Sequence, residues 1–145
     1  LREALDKARS RFNFILIDCP PSLGFLTINA LAAADSVLIP VQTEFFCMEG
    51  IPDLFQTLET VRTYFNPKLA IEGILLTMFD ERTNLSKQVA EEIRKSLKHI
   101  LFDTVVPRSI RLAEAPSFGQ PIVLYDIKSK GAEAYLNLAE EIIRR

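Results

Sequence analysis

Residues 12–24 read FNFILIDCPPSLG, and the fold class turns on them. Phe14, Ile15, Leu16 and Ile17 are continuously apolar, whereas a strand with one wet face alternates apolar and polar residues. Such a run predicts a central strand of a parallel sheet, covered by helices on both faces. Asp18 then stands at the carboxyl end of that strand, the side on which open α/β folds bind ligands. Pro20 and Pro21 cannot donate to a sheet ladder, so the chain leaves the sheet there by a stiff loop.

Outward from this stretch, elements alternate. Leu1, Leu5, Ala8 and Phe12 fall at helical spacing and predict a helix feeding the strand. In a βαβ pattern such a helix follows an earlier strand, and the chain opens without methionine, so residues 1–145 are expected to be the C-terminal part of one larger domain. FLTINALAAAD predicts a short helix, and SVLIPVQ a strand ending near Gln42. Ile51, Leu54, Phe55, Leu58, Val61 and Phe65 make one helical stripe over residues 49–65, with Pro52 tolerated in the first turn. Residues 71–78 predict a third strand, and Asn84 or Ser86 a cap for the next helix, with Val89, Ile93 and Leu97 inward. Residues 101–106 predict a fourth strand closed by Pro107. Residues 107–121 are expected to be irregular and 121–125 extended. Ser129 then caps a last helix with Ala132, Tyr135, Leu136, Ala139 and Ile143 inward. The sum is α/β, a mostly parallel sheet flanked by helices.

Composition narrows the function classes. A chain of 145 residues, 48% apolar and 25% charged, is ordinary for one globular domain. No apolar run approaches the ~20 residues of a membrane span, and no leader pattern is visible. The net charge of −2 gives no general attraction to nucleic acid, so any such binding needs a local basic face. Cys19, Cys47 and His99 are too few and too scattered for a zinc site, and read as ordinary residues rather than a nucleophile–base pair.

An apolar strand ending in aspartate is what nucleotide hydrolases use to hold magnesium through a bound water. The same pattern also occurs where the aspartate caps a helix or binds nothing. Gly24, which lets a backbone amide approach a phosphate, favours the first of these.

FILIDCPPSLGFLTINALAAADSVLIPVQTEFFCMEG, ILLTMFDERTNLSKQVAEEI and TVVPRSIRLAEAPSFGQPIVLYDIKSKGAEAYLNLAEEI together resemble the ParA/Soj-like partition ATPases, from the second magnesium-binding motif onward. The resemblance implies a partial deviant P-loop fold of the MinD and nitrogenase-iron-protein superfamily, lacking its N-terminal strands. It implies ATP and Mg²⁺ as cofactors, an ATP-dependent homodimer, non-specific DNA binding and hydrolysis stimulated by a ParB-type partner. It also implies a cytoplasmic, nucleoid-associated protein with no membrane partner.

By that resemblance, Asp18 orients Mg²⁺ through water, Gly24 belongs to the switch loop, and Met78, Pro107, Arg108 and Ser109 enclose the adenine. Met78 can equally be plain core. Arg82 and Arg111 match positions facing the DNA backbone, with Lys128 and Lys130 as further basic residues near the last helix. Gln42, Glu44, Glu49 and Gly50 match a segment near the dimer face. None of the five glycines opens G-x-x-x-x-G-K-[ST], so the phosphate loop and every catalytic residue are expected upstream of residue 1, and this chain alone is expected to be inactive. Two alternatives remain. One is a MinD-like positioning ATPase, disfavoured by the acidic Glu140 and Glu141 in the final helix. The other is a non-catalytic fragment that binds only protein.

Overall fold

The computed structural model describes residues 1–45 and 47–145. Its strands are β1 (Ser36–Gln42), β2 (Ala70–Phe79) and β3 (Leu101–Pro107). They form a three-stranded parallel sheet of order β1-β2-β3 with helices around it. The helices are α1 (Arg2–Arg9), α2 (Phe25–Ala33), α3 (Cys47–Tyr64), α4 (Asn84–Leu97), α5 (Ile110–Glu114), α6 (Ile122–Tyr125) and α7 (Lys130–Arg144). Two compact units are distinguished, one of residues 1–37 and 49–71, the other of residues 38–48 and 72–145.

In the first unit, Arg9 ties α1 to Asp35 at 3.0 Å. Buried Asn66 donates to the carbonyls of Leu31 and Ala34 at 3.0 and 2.8 Å, closing the otherwise open end of α2. The predicted strand at residues 14–17 does not form. The segment joins no sheet; Leu16 is 93% exposed, and Phe14 and Phe12 are also exposed. An apolar run is a necessary condition for a central strand and not a sufficient one. Its amides and carbonyls need a neighbour, and none of the described residues runs beside it.

In the second unit, β2 and β3 pair in parallel with Ile74 opposite Leu101 and Phe79 opposite Pro107. Leu75, Phe102, Val106, Ala134 and Leu138 form the core between the sheet and α7. Phe102 lies so close to the backbone of β2 that a Cβ on Gly73 would stand 2.5 Å from its ring, so only glycine fits. Arg145 lies over that ring, 3.9 Å from its centroid, and donates to the carbonyls of Glu72 and Leu101.

Four local expectations are corrected here. The cap of α4 is Thr83, whose hydroxyl accepts from the amide of Ser86 at 3.3 Å; neither Asn84 nor Ser86 caps it. Residues 122–125 are helical rather than extended, because the Pro121 carbonyl accepts the amides of Leu124 and Tyr125. Residues 110–118 are also helical rather than irregular. Helix α7 is capped by Ser129 as expected, but it turns Gly131, Ala132, Ala134 and Leu138 inward and leaves Tyr135, Leu136 and Ile143 exposed. Two apolar stripes run along it, and small residues decide between them. A Cβ on Gly131 would stand 2.6 Å from Leu112, so this face approaches closely.

Candidate functional site

The polar chemistry of the second unit gathers at the carboxyl ends of its strands, where a parallel sheet presents ligand-binding residues. Met78, near the end of β2, has φ of 54°, the left-handed region that side chains seldom occupy. It is 37% exposed and so does not belong to the buried core. Backbone held this way marks sites where the surrounding structure overrides local preference. That surround is visible: Thr43, just past β1, donates its amide to the Thr77 carbonyl at 3.1 Å and its Oγ1 to the Met78 carbonyl at 3.4 Å. The amide of Arg108 donates to the Phe79 carbonyl at 2.9 Å, joining the ends of β2 and β3.

Behind Met78 the bonds continue. The buried hydroxyls of Thr43 and Ser86 lie 2.6 Å apart, and Ser86 Oγ accepts the Asp80 amide at 3.1 Å. Asp80 in turn accepts from the Arg82 amide (3.0 Å), Nε (2.9 Å) and Nη2 (2.7 Å). The Arg82 side chain, followed by its amide, holds the Asp80 carboxyl far below the usual carboxylate range, and Arg108 adds to the effect. Asp80 is therefore an anion at neutral pH.

Of the residues expected here, Met78, Pro107 and Arg108 meet at this rim. Ser109 caps α5 without a side-chain bond, which leaves its hydroxyl available. Arg82 is 85% exposed beyond Asp80. Arg111 is already matched by Glu114 at 3.1 Å and Asp126 at 3.5 Å, so much of its charge is spent within the unit. Asp18 and Gly24 belong to the first unit. The Asp18 carboxylate is exposed and has no hydrogen bond or ion pair among the described residues. Gly24 is the extended N-cap of α2, whose first turn carries no side-chain cap. Thr43, Asp80 and Ser86 were missed from sequence. Only the spacing of Asp80 and Arg82 after a strand end hinted at them.

Other features carry less. A cleft of about 380 Å³ in the first unit is lined by Arg2, Arg9, Asp35, Asn66 and Lys68. Cys19 and Cys47 are free thiols, and burial pushes Cys47 above its ordinary value, away from a reactive thiolate. Among the described residues no group of three or more His, Cys, Asp or Glu is gathered as a metal site, and no helix is long and apolar enough to cross a membrane.

Comparison with known proteins supplies what geometry alone does not. A family model described as an AAA domain matches residues 1–71. The chromosome partitioning protein ParA of Myxococcus xanthus is 56% identical over 145 residues, all of this chain and 51% of that protein. The sporulation initiation inhibitor protein Soj of Bacillus subtilis is 54% identical over 142 residues, 98% of this chain and 56% of that protein. Over essentially its whole length the chain is thus similar to ParA and Soj proteins.

It spans about half the length of these ParA and Soj relatives. Among solved structures, a cobyrinic acid a,c-diamide synthase of Mycobacterium smegmatis with bound ATP analogue and magnesium matches with a TM-score of 0.78 and 33% identity, over 99% of this chain and 51% of that one. The cell division ATPase MinD of Pyrococcus furiosus matches with a TM-score of 0.79 and 28% identity, over 99% and 56%. The fold is thus that of the MinD/ParA-type P-loop proteins. Neighbours of one fold carry different activities, so the fold does not choose among them. The identity to ParA of Myxococcus xanthus is twice that to MinD.

Proposed function

We propose that these residues are the C-terminal part of a partition ATPase, and that the whole protein binds ATP with Mg²⁺, dimerises and binds DNA without sequence preference. A ParB-type partner stimulates hydrolysis, which releases the DNA, and the protein works in the cytoplasm on the nucleoid. The observation that carries this reading is the identity of 50–56% to ParA and Soj proteins over essentially all of the chain. The MinD-like alternative has no comparable support.

The residues present suit the cofactors. A magnesium ion bound to nucleotide phosphates needs only one or two protein carboxylates, and Asp18 offers one that no neighbour uses. Bound there, Mg²⁺ would neutralise charge developing on the phosphates. Pro20 and Pro21 restrict how far Asp18 can move, and the uncapped first turn of α2 leaves amides free for an anion. In the second unit, Met78 offers an apolar surface, and the Ser109 hydroxyl an unengaged polar group, for an adenine. Arg82 and Arg111 supply cations for DNA phosphates, of which Arg82 is the more available.

The test is turnover. The full-length protein is expected to release phosphate from Mg·ATP, and Asp18→Ala to lower the rate at least about a hundredfold, as expected when a metal-orienting group is lost. The 145-residue chain alone is expected to show no turnover, since the phosphate loop supplies most of the stabilisation. Phosphate release by this chain alone, abolished by Asp18→Ala, would overturn that assignment of roles.

A further inference from the structure

We infer that Asp80 is a positioning residue that presents Arg82 to a DNA phosphate, with Ser86 and Thr43 fixing Asp80 from behind. The inference deepens the reading above and rests on Arg82 meeting DNA. Its basis is the bonding of one short segment. Asp80 Oδ1 accepts both the backbone amide and Nε of Arg82, and Oδ2 accepts Nη2, so the carboxylate closes on the arginine from two sides. The Asp80 side chain is 15% exposed while that of Arg82 is 85% exposed. The acid therefore sits at the base and the cation at the tip.

A guanidinium has two edges that can each receive an oxyanion in bidentate fashion. Asp80 occupies the Nε–Nη2 edge. The Nη1–Nη2 edge is left for a second oxyanion, and a phosphate has the matching geometry. An arginine already held by a carboxylate loses less side-chain freedom when it binds, which is the gain from preorganisation. Asp80 can hold only if it is itself held. Its amide is bonded to Ser86 Oγ in the first turn of α4, and Ser86 shares a hydrogen with buried Thr43, which is anchored to β2 through Thr77.

Simple electrostatics argues in the opposite direction, which makes the inference testable by sign. Asp80 is an anion beside a DNA-binding cation, so removing it should tighten binding if its charge were all that mattered. Positioning predicts weaker binding instead. In the full-length protein with ATP, affinity for a non-specific duplex is measured by fluorescence anisotropy at several salt concentrations for Asp80→Asn, Arg82→Ala, Arg82→Lys and the Asp80→Asn/Arg82→Ala pair. Arg82→Ala is expected to weaken binding and lower the salt slope by about one. Asp80→Asn is expected to weaken binding about five- to tenfold and to do nothing further once Arg82 is alanine, because the two act as one unit. Arg82→Lys, a point charge without a second edge, should bind like Arg82→Ala more than like the wild type.

Tighter or unchanged binding by Asp80→Asn overturns the inference, as does full affinity in Arg82→Lys, a fully exposed change that does not threaten folding. A fall in ATP affinity in step with DNA affinity would place Asp80 in the nucleotide site and also overturn it. If Arg82→Ala itself leaves affinity and slope intact, the underlying DNA role of Arg82 fails first, and that result is distinct from the others.

Discussion

Two apolar runs of this chain have nearly the same composition and opposite fates. VLIPV, at residues 37–41, lies in β1, while FILI, at residues 14–17, joins no strand or helix and leaves Leu16 almost wholly in solvent. By propensity the second is the better strand, because the first contains Pro40, which cannot donate to a ladder. The difference is the neighbour. Residues flanking β1 exchange bonds with β2, from the Ala70 amide to Asp35 and from the Thr43 amide to Thr77. Pro40 is tolerated because β1 is an edge of this sheet, with its own exposed side to spare. Hydrophobicity selects which segments can be central strands, and pairing decides which of them are.

The largest expected effect comes from breaking this contrast. In the 145-residue chain, amides of residues 14–18 should exchange hydrogen at close to unfolded rates, while those of Ile74, Leu75 and Leu76 should be protected by about a thousandfold or more. In the full-length protein residues 14–18 should gain protection of the same order as β2, because a partner strand is then expected on either side. Hydrogen exchange followed by mass spectrometry reads both. Fast exchange at residues 14–18 in the full-length protein would mean that the run is a loop and that Asp18 is not at a strand end.

Sequence carries what neighbouring residues decide and is silent on what distant segments decide. Three of the four strands expected from sequence, the α3 stripe at Leu58 and Val61, and the Ser129 cap were legible because each depends on residues near one another in the chain. The fate of residues 14–17 depends on a segment elsewhere. The inward face of α7 was misassigned because two stripes had equal periodicity, and Glu141 had to face β3 to be of use. At the candidate site, residue types drew attention to Met78, Arg82 and Arg108. The left-handed backbone of Met78 and the Thr43–Ser86–Asp80 chain arise from contacts 35 or 43 residues apart in sequence, as at Thr43–Met78 and Thr43–Ser86, and no local pattern announces them.

A second prediction sharpens the paired side. Phe102 is 2% exposed, packed against Gly73 and Arg145 and within the core of Leu75, Val106, Ala134 and Leu138. Phe102→Ala should destabilise the folded state by about 3–5 kcal/mol, the usual cost of removing a buried aromatic ring. Arg145 also loses the ring beneath it and keeps only its bonds to Glu72, Leu101 and Glu141. Chemical denaturation checks it. A loss under about 1 kcal/mol would show that this core contributes less to holding β2 to β3 than the backbone ladder does.

The smallest effect concerns β3, whose outer edge in this sheet has no strand beside it. A side chain stands in for one. Glu141 of α7 accepts the amides of Asp103 and Thr104 at 2.9 and 3.0 Å and is clamped by Arg145 at 2.8 Å. Burial works to raise the Glu141 pKa, but the two amides and Arg145 outweigh it, and the net shift is downward from 4.5. A carboxyl whose folded value lies below its unfolded value stabilises the fold fully above the unfolded value, and that share is lost as the pH falls through the folded one. Glu141→Gln keeps the shape and removes the charge, so it should cost about 1–2 kcal/mol at pH 7, the worth of hydrogen bonds to an ionised acceptor. The gap between wild type and variant should narrow on acidification below pH 4.5 and close once the wild-type carboxyl is protonated. The other carboxylates titrate alike in both proteins and cancel in the difference. Denaturant midpoints for the two, measured from pH 7 down to about pH 3, give that difference directly. A gap that stays constant with pH would mean that Glu141 holds the edge of β3 by shape alone, and that its charge does not substitute for a neighbouring strand.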